Sequence, residues 1–247
     1  MLKNLIKNLF HKFNFQLSRY DRHTWGINID DEVIRLLQFW EKYQKEVIIF
    51  DVGSNIGQSL HTYKKRMRQA KIHSFEPSPR TFDVLKVATK RYSQIIYNNV
   101  GVGAENQTSK FYENSNSDLS SFLEPKDKIW GKLDLISDID TITLDKYMED
   151  HSISIIDFLK IDAQGFEYEI LKGADNALEN GKIKLIQFEI ILGELYENLP
   201  RMDILIKYML DRNYKLVAVY GFHNKNISAQ WTDALFIHHK MDLPLES

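Results

Sequence analysis

The sequence contains no cysteine. Disulfides, thiolate metal sites, iron–sulfur clusters and a cysteine nucleophile are therefore excluded. It also lacks any apolar run approaching the ~20 residues that cross a bilayer. Its first residues are interrupted by Lys3, Lys7 and Lys12, which speaks against a secretory leader. Neither sign of charge dominates: 32 basic residues face 34 acidic ones, for a net charge of −2. A broad basic surface for nucleic acid is not expected from that balance. Internal repeats and low-complexity linkers are missing too. With 247 residues, 43% of them hydrophobic, the chain can bury a full core as one α/β domain with additions. The expectation is a soluble, cytoplasmic protein.

What is present concentrates in Val47-Ile48-Ile49-Phe50-Asp51-Val52-Gly53-Ser54-Asn55-Ile56-Gly57. An apolar run, an acid and a Gly-x-Asn-x-Gly turn read as a buried strand breaking sharply into a helix. Gly53 and Gly57 carry no Cβ, so the backbone can turn tightly and approach a ligand closely. A second strand, Lys71-Ile72-His73-Ser74-Phe75, ends in Glu76 about one βαβ step later. An acid there can accept both hydroxyls of a ribose. A nicotinamide fold would show Gly-x-Gly-x-x-Gly around a pyrophosphate. Here an anionic Asp51 would repel a pyrophosphate but attract a cationic group. S-adenosylmethionine has an ammonium and a sulfonium and no phosphate, so it suits this turn better. Given that cofactor, the missing cysteines also exclude its radical chemistry and cysteine-dependent methylation of pyrimidines.

Residues 1–13 have the pattern of a basic amphipathic helix, with Leu2, Leu5, Ile6, Leu9, Phe10 and Phe13 at helical spacing. It fits a weak peripheral membrane contact or packing on the protein itself. A second helix spans about Asp31 to Tyr43. Strands are expected near 47–51, 71–75, 95–100, 155–161, 183–188, 214–219 and 232–237, with helices near 58–68, 79–91, 143–150, 166–178 and 201–212. That alternation is the signature of a mostly parallel sheet covered on both faces. A long interval before the strand at 155 holds one extra strand, near 108–112, and polar loops.

Several strings together resemble the FkbM family of S-adenosylmethionine-dependent methyltransferases. They include Phe50-Asp51-Val52-Gly53-Ser54-Asn55-Ile56-Gly57, Ser74-Phe75-Glu76-Pro77, Asn99-Val100-Gly101-Val102-Gly103 and Ile142-Thr143-Leu144-Asp145. Further on come Leu159-Lys160-Ile161-Asp162-Ala163-Gln164-Gly165-Phe166-Glu167, Leu171-Lys172-Gly173-Ala174 and Gln187-Phe188-Glu189. The likeness covers about residues 47–192. Ser54 stands where the family often has Ala, and Gly101-Val102-Gly103 where Ala-Leu-Gly is usual. The resemblance implies an α/β fold of the class I methyltransferase (Rossmann-like) type. Its seven-stranded sheet would be mostly parallel with one antiparallel strand, preceded by N-terminal helices. Residues 1–46 would form the helical extension and 47–240 the methyltransferase domain. It also implies an O-methyltransferase whose acceptor is a sugar hydroxyl in bacterial glycan biosynthesis, or else a polyketide-type natural product. A non-catalytic scaffold with the same fold is the rival, disfavoured by acids at four strand ends. An oxidoreductase lacks its Tyr-x-x-x-Lys pair. Nucleic-acid methylation lacks an Asn-Pro-Pro-Tyr-like motif.

In such sheets the ligand lies beyond the carboxyl ends of the strands. Asp51, Gly53, Asn55 and Gly57 would hold the methionine portion, Glu76 the ribose and Val100 the adenine. An alcohol is a poor nucleophile, and a base that removes its proton helps by ~10²–10⁴-fold. Asp162 is the leading candidate, followed by Glu189 and Glu167; Glu167 could equally stabilise a helix dipole. The same acids could instead hold Mg²⁺. His223, between the last two strands, could reach the acceptor. Tyr20, Trp25, Phe122, Trp130, Tyr196 and Phe222 could wall it, though packing is the simpler role for most of them.

Overall fold

The computed structural model describes residues 28–42, 46–126, 131–225 and 228–241. The expected helix at 1–13, with Tyr20, Trp25 and Trp130, lies outside them. The main sheet is built from β1 (Ile48–Val52), β2 (Lys71–Phe75), β3 (Ile95–Asn98), β7 (Ile156–Ile161), β8 (Ile183–Ile191), β9 (Tyr214–Lys225) and β10 (Ser228–His238). Its order is β3-β2-β1-β7-β8-β10-β9. β1 pairs in parallel with both β2 and β7, and β10 alone runs antiparallel to its neighbours β8 and β9. This is the class I methyltransferase, Rossmann-like sheet. The chain winds outward from β1 in one direction and returns at β7 in the other, so a crevice opens at that reversal.

Near-continuous apolar strands require cover on both faces. One face meets α1 (Ile29–Glu41), α2 (Gln58–Arg66) and α3 (Pro79–Thr89). Val33, Ile34, Leu36 and Leu37 of α1 share a buried cluster there with Ile49, Phe158 and Leu235. Asn28 caps α1 by accepting from the Asp31 N–H at 2.9 Å. The other face meets α4 (Leu144–Asp150), α5 (Glu167–Lys172), α6 (Asp175–Glu179) and α7 (Met202–Asp211), around Phe50, Leu159, Ile186 and Phe236. Among the described residues no helix is long and apolar enough to cross a membrane.

Three departures from the sequence pattern have physical causes. The helix expected over 166–178 is two helices. Asp145 caps the second from outside, its carboxylate accepting from the N–H groups of Asn176 at 2.9 Å and Ala177 at 2.8 Å. A strand the pattern missed, β6 (Leu133–Ile142), pairs with β4 (Gly101–Val102) and β5 (Gln107–Asn114) in a separate three-stranded sheet. Most of β6 is solvent-exposed, and only Thr141 is buried. Its first four residues, Leu133–Ile136, are exposed throughout, and burial alternates only from Ser137 to Thr141, too short a stretch to mark a ten-residue strand. The interval between the strands expected near 214–219 and 232–237 is largely strand, because β9 runs to Lys225 and β10 begins at Ser228.

Gly173, between α5 and α6, tests this packing without any conformational strain of its own. A Cβ there would stand 2.0 Å from the backbone oxygen of Gly103, so a helix terminus and the loop after β4 would have to part. Gly173→Ala should lower stability in urea by about 1–3 kcal/mol, the usual cost of overpacking.

Candidate active site

The turn after β1 is fixed by main-chain bonds. The N–H groups of Gly53 and Ser54 both donate to the carbonyl of Phe75 at 3.0 Å, which ties the turn to the end of β2. Gly53 has φ +81°, and a Cβ there would lie 1.9 Å from the carbonyl oxygen of Asp162. Only glycine fits both the conformation and the contact. Asn55, at φ +45°, donates its N–H to Glu76 Oε2 at 2.9 Å, while Ser78 N–H donates to Glu76 Oε1 at 3.0 Å. Each carboxylate oxygen thus spends one lone pair on the backbone and keeps another for a ligand. Burial pushes Glu76 up to about 7, against the pull of those N–H groups.

A cavity of about 410 Å³ follows from this turn. Gly53, Asn55, Glu76 and Val100 line it at one end, and Asp162, Gln164, Glu189 and Trp231 at the other. Its roof is the segment 116–122, which includes a 3₁₀ turn over Ser117–Leu119 and the ring of Phe122. That roof is fastened at both ends. Asn55 Nδ2 donates to Asp118 Oδ1. Ser121 Oγ donates to the Gln164 carbonyl at 2.8 Å, and the Tyr196 hydroxyl donates to the Leu119 carbonyl at 3.0 Å.

The acids form a graded row. Lys160 is buried and donates to Asp162 Oδ2 at 2.9 Å. It faces Asp51 across the β1–β7 register. Burial alone would lower Lys160, but the carboxylates of Asp162 and Asp51 outweigh it and hold the ammonium above its ordinary range. Burial tends to raise Asp162, yet Lys160 prevails and keeps it below the usual carboxylate range. Glu189 is pushed well up, by burial first and then by repulsion from Asp162, Glu167 and Asp233. Gln164 bridges the two, its Nε2 donating to Glu189 Oε2 at 2.9 Å and to Asp162 Oδ1 at 3.3 Å. Its own Oε1 accepts from the Tyr196 hydroxyl at 3.3 Å.

Three of the expected site residues stand elsewhere. Asp51 is fully buried beneath the turn, on the face covered by α1 and α2, and does not line the cavity. Strand alternation turns its side chain away from the crevice while Val52 faces it. Glu167 is also buried and outside the lining; its carboxylate accepts from the Ala163 N–H at 2.9 Å and so ties the turn between β7 and α5. Gly57 packs against Thr89 and Leu85 at the start of α2, shaping the turn from behind. Lys160, Gln164 and Trp231 stand at or beside the cavity without having been expected there. The first two lie inside the string around Asp162, where their spacing to the acid was a usable signal; Trp231 left none.

The lining suits the cofactor expected from the sequence. No lysine or arginine lines the cavity among the described residues, so a pyrophosphate would find no cation. Asn55 Oδ1 is buried without a hydrogen-bond partner and can accept from an ammonium. Glu76 offers two free lone pairs to ribose hydroxyls, and Phe75, Val100, Leu119 and Phe122 offer apolar walls to a base. Mg²⁺ gains no support, since no three acids or histidines among the described residues are grouped to hold a metal ion.

Residues 51–216 match the Methyltransferase FkbM domain. The hexuronic acid methyltransferase AglP of Haloferax volcanii is 28% identical over 159 residues, covering 64% of this chain and 62% of AglP. The 2-O-methyltransferase NoeI of Sinorhizobium fredii is 24% identical over 194 residues, covering 74% of this chain and 77% of NoeI. The solved structure of M. capricolum TrmK with S-adenosyl-homocysteine has a TM-score of 0.47 at 12% identity, over 88% of this chain and 71% of that one. That likeness is too loose to bear on function. The chain belongs to the FkbM family of S-adenosylmethionine-dependent methyltransferases.

Two measurements probe this site. Lys160→Met would leave Asp51 and Asp162 without their shared cation, and removing one partner of a buried pair costs about 3–5 kcal/mol. A loss of that size in urea at pH 7 is expected. If Glu76 holds the ribose it must be ionised to accept two hydroxyls, and affinity for S-adenosylhomocysteine should then be full well above pH 7 and fall as pH drops through about 7. Glu76→Gln should remove that dependence and weaken binding roughly tenfold to a hundredfold, given ~1.5–3 kcal/mol for hydrogen bonds to a charged group. Calorimetric titration at several pH values reads both effects.

Proposed function

We propose that this chain is an S-adenosylmethionine-dependent O-methyltransferase that acts on a sugar hydroxyl. The observation that carries this is the continuity of one cavity, from the glycine turn and Glu76 to the carboxylates of Asp162 and Glu189. The names of the two relatives, one for a hexuronic acid and one for a 2-O-methyl group, support an oxygen on a sugar as the acceptor atom.

Gly53, Asn55, Glu76 and Val100 would hold the cofactor, with Asp51 acting from below the turn through charge alone. When bound, S-adenosylmethionine supplies a methyl electrophile with a neutral thioether as leaving group. The protein's share is alignment and proton removal. Holding the acceptor oxygen in line turns an encounter in solution into an intramolecular step. As the new C–O bond forms and the C–S bond breaks, the hydroxyl proton must pass to a base.

Asp162 led the sequence reading, but its ion pair with Lys160 makes it a weak base. It is better suited to orient the hydroxyl as a fixed charge. Glu189 is the stronger base, because its neighbours raise its affinity for a proton. Gln164 keeps both acids at a set separation through one amide nitrogen.

Glu189→Gln should lower kcat by about 10²–10⁴-fold with S-adenosylhomocysteine affinity retained. In the wild type, Glu189 works only when ionised, and burial and repulsion raise its pKa. The rate should therefore climb with pH on the acid side, and the glutamine variant should lose that limb. Asp162→Asn should cost less than Glu189→Gln; the reverse order would return the base role to Asp162. Transfer of label from S-adenosylmethionine to a panel of glycosides tests the reading itself. No transfer to any of them, from protein that binds S-adenosylhomocysteine, would end it.

A further inference from the structure

Charge is balanced over the whole chain but not along it. Between Asp51 and Glu76 there is no acidic residue, while Lys64, Lys65, Arg66, Arg68 and Lys71 follow one another closely. Residues 84–104 hold no acid either, and they include Lys86, Lys90 and Arg91. The fold brings these two runs together. α2 leads into β2 and α3 into β3, so both helices end at the edge where the strands begin. That edge is opposite the one where the cofactor cavity opens.

There the two helix ends enclose a second cavity, of about 380 Å³, lined by Lys64, Lys65, Arg68, Arg91, Tyr92 and Ser93. Helix C-termini favour cations, and Lys64 meets that need. It is buried, and its Nζ donates to the carbonyls of Arg68 at 3.0 Å and Ala70 at 2.5 Å. Carbonyls carry only partial charge, so this ammonium lacks a full counter-charge. Arg66 is paired with Asp31 and Lys86 with Asp83. Lys65, Arg68, Lys90 and Arg91 are exposed and form no ion pair among the described residues. The segments outside those residues do not restore the balance. Their Lys3, Lys7, Lys12, Arg19, Arg22, Lys45 and Lys128 outnumber Asp21, Asp127, Asp242 and Glu246.

Apolar side chains stand among these cations. Val84 and Val87 of α3 are 51% and 67% exposed, about two turns and one turn before Arg91. A soluble polyanion would find charge at this rim but no use for the valines. A bilayer surface takes up both, with anionic headgroups for the cations and its interface for the apolar groups. The alternation of lysines with an apolar stripe over residues 1–13 is of the same kind.

We propose that this rim is a docking surface for an anionic phospholipid membrane, with a headgroup phosphate seated between the ends of α2 and α3. The proposal is independent of the sugar reading. A protein held this way keeps its catalytic cavity turned from the membrane and open to acceptors in solution.

The test is sedimentation of the full chain with vesicles of phosphatidylcholine alone and with vesicles containing about one-third phosphatidylglycerol. Binding should favour the anionic vesicles at least about tenfold and weaken as salt screens the charges. Lys65→Glu, Arg68→Glu and Arg91→Glu together should lower that affinity about a hundredfold, at roughly fivefold per cation, with S-adenosylhomocysteine affinity kept as the sign of an intact fold. If that affinity is lost, glutamine at the same three positions makes the same test. Val84→Ser with Val87→Ser should weaken vesicle binding severalfold. Binding without preference for anionic lipid, or unchanged when the three cations are reversed, would overturn the proposal. So would loss on reversing Lys3, Lys7 and Lys12 while the rim variant still binds. A loss confined to the charge variant, with the valine variant binding as the wild type does, would assign the rim to a soluble polyanion and overturn the membrane.

Discussion

One ammonium among carboxylates sets the order of this site. Lys160 lies buried in the central strand, between Asp51 on the neighbouring strand and Asp162 two residues on. Burial drives carboxylates toward the neutral form; against that pull Lys160 prevails at Asp162 and only opposes it at Asp51, which burial still raises. With it, Asp162 is kept charged and Glu189, one strand further out, is left to hold its proton more tightly. Two acids of similar chemistry are thereby separated into a fixed charge and a proton acceptor, and environment alone makes the difference. The position of a single cation decides which is which.

The glycine turn and the acid row are coupled through contact. Gly53 rests on the carbonyl of Asp162 with no room for a Cβ between them. The β1 turn and the end of β7 are thus set against each other at backbone level. Gln164, at φ +53°, is held by a hydroxyl on its carbonyl and another on its amide oxygen, while its amide nitrogen spans the two acids. A left-handed backbone at a non-glycine residue carries strain, which persists only where the surroundings impose it. Here four hydrogen bonds do so.

Much of the fold was legible because the main strands are buried on both faces and the helices between them carry apolar stripes. That Glu76, Gly53, Asn55, Asp162 and Glu189 share one cavity was legible for a related reason, since polar residues that close apolar strands gather on one sheet edge. Asp51 misled because an acid just before a glycine turn looks like a ligand group, although alternation assigns its side chain to the opposite face from Val52. Glu167 misled in a similar way: in sequence it reads as a helix-start acid near the site, and in space it ties a turn. Trp231 could not be found, because its direction depends on β-bulges, and bulges depend on the pairing of β9 with β10 rather than on either strand alone. β6 was hidden because its first half is exposed on both faces and only its second half alternates.

The roof of the cavity grows from the small sheet, and that sheet shares no strand with the large one. The two obey different constraints. Residues of the large sheet answer to a core that tolerates little change, whereas β6 and the segment it supports answer mainly to solvent and to a handful of side-chain bonds. Substitutions and length changes can therefore accumulate above the cavity at small cost to folding. A lineage built this way can diversify what it modifies while its donor chemistry stays fixed.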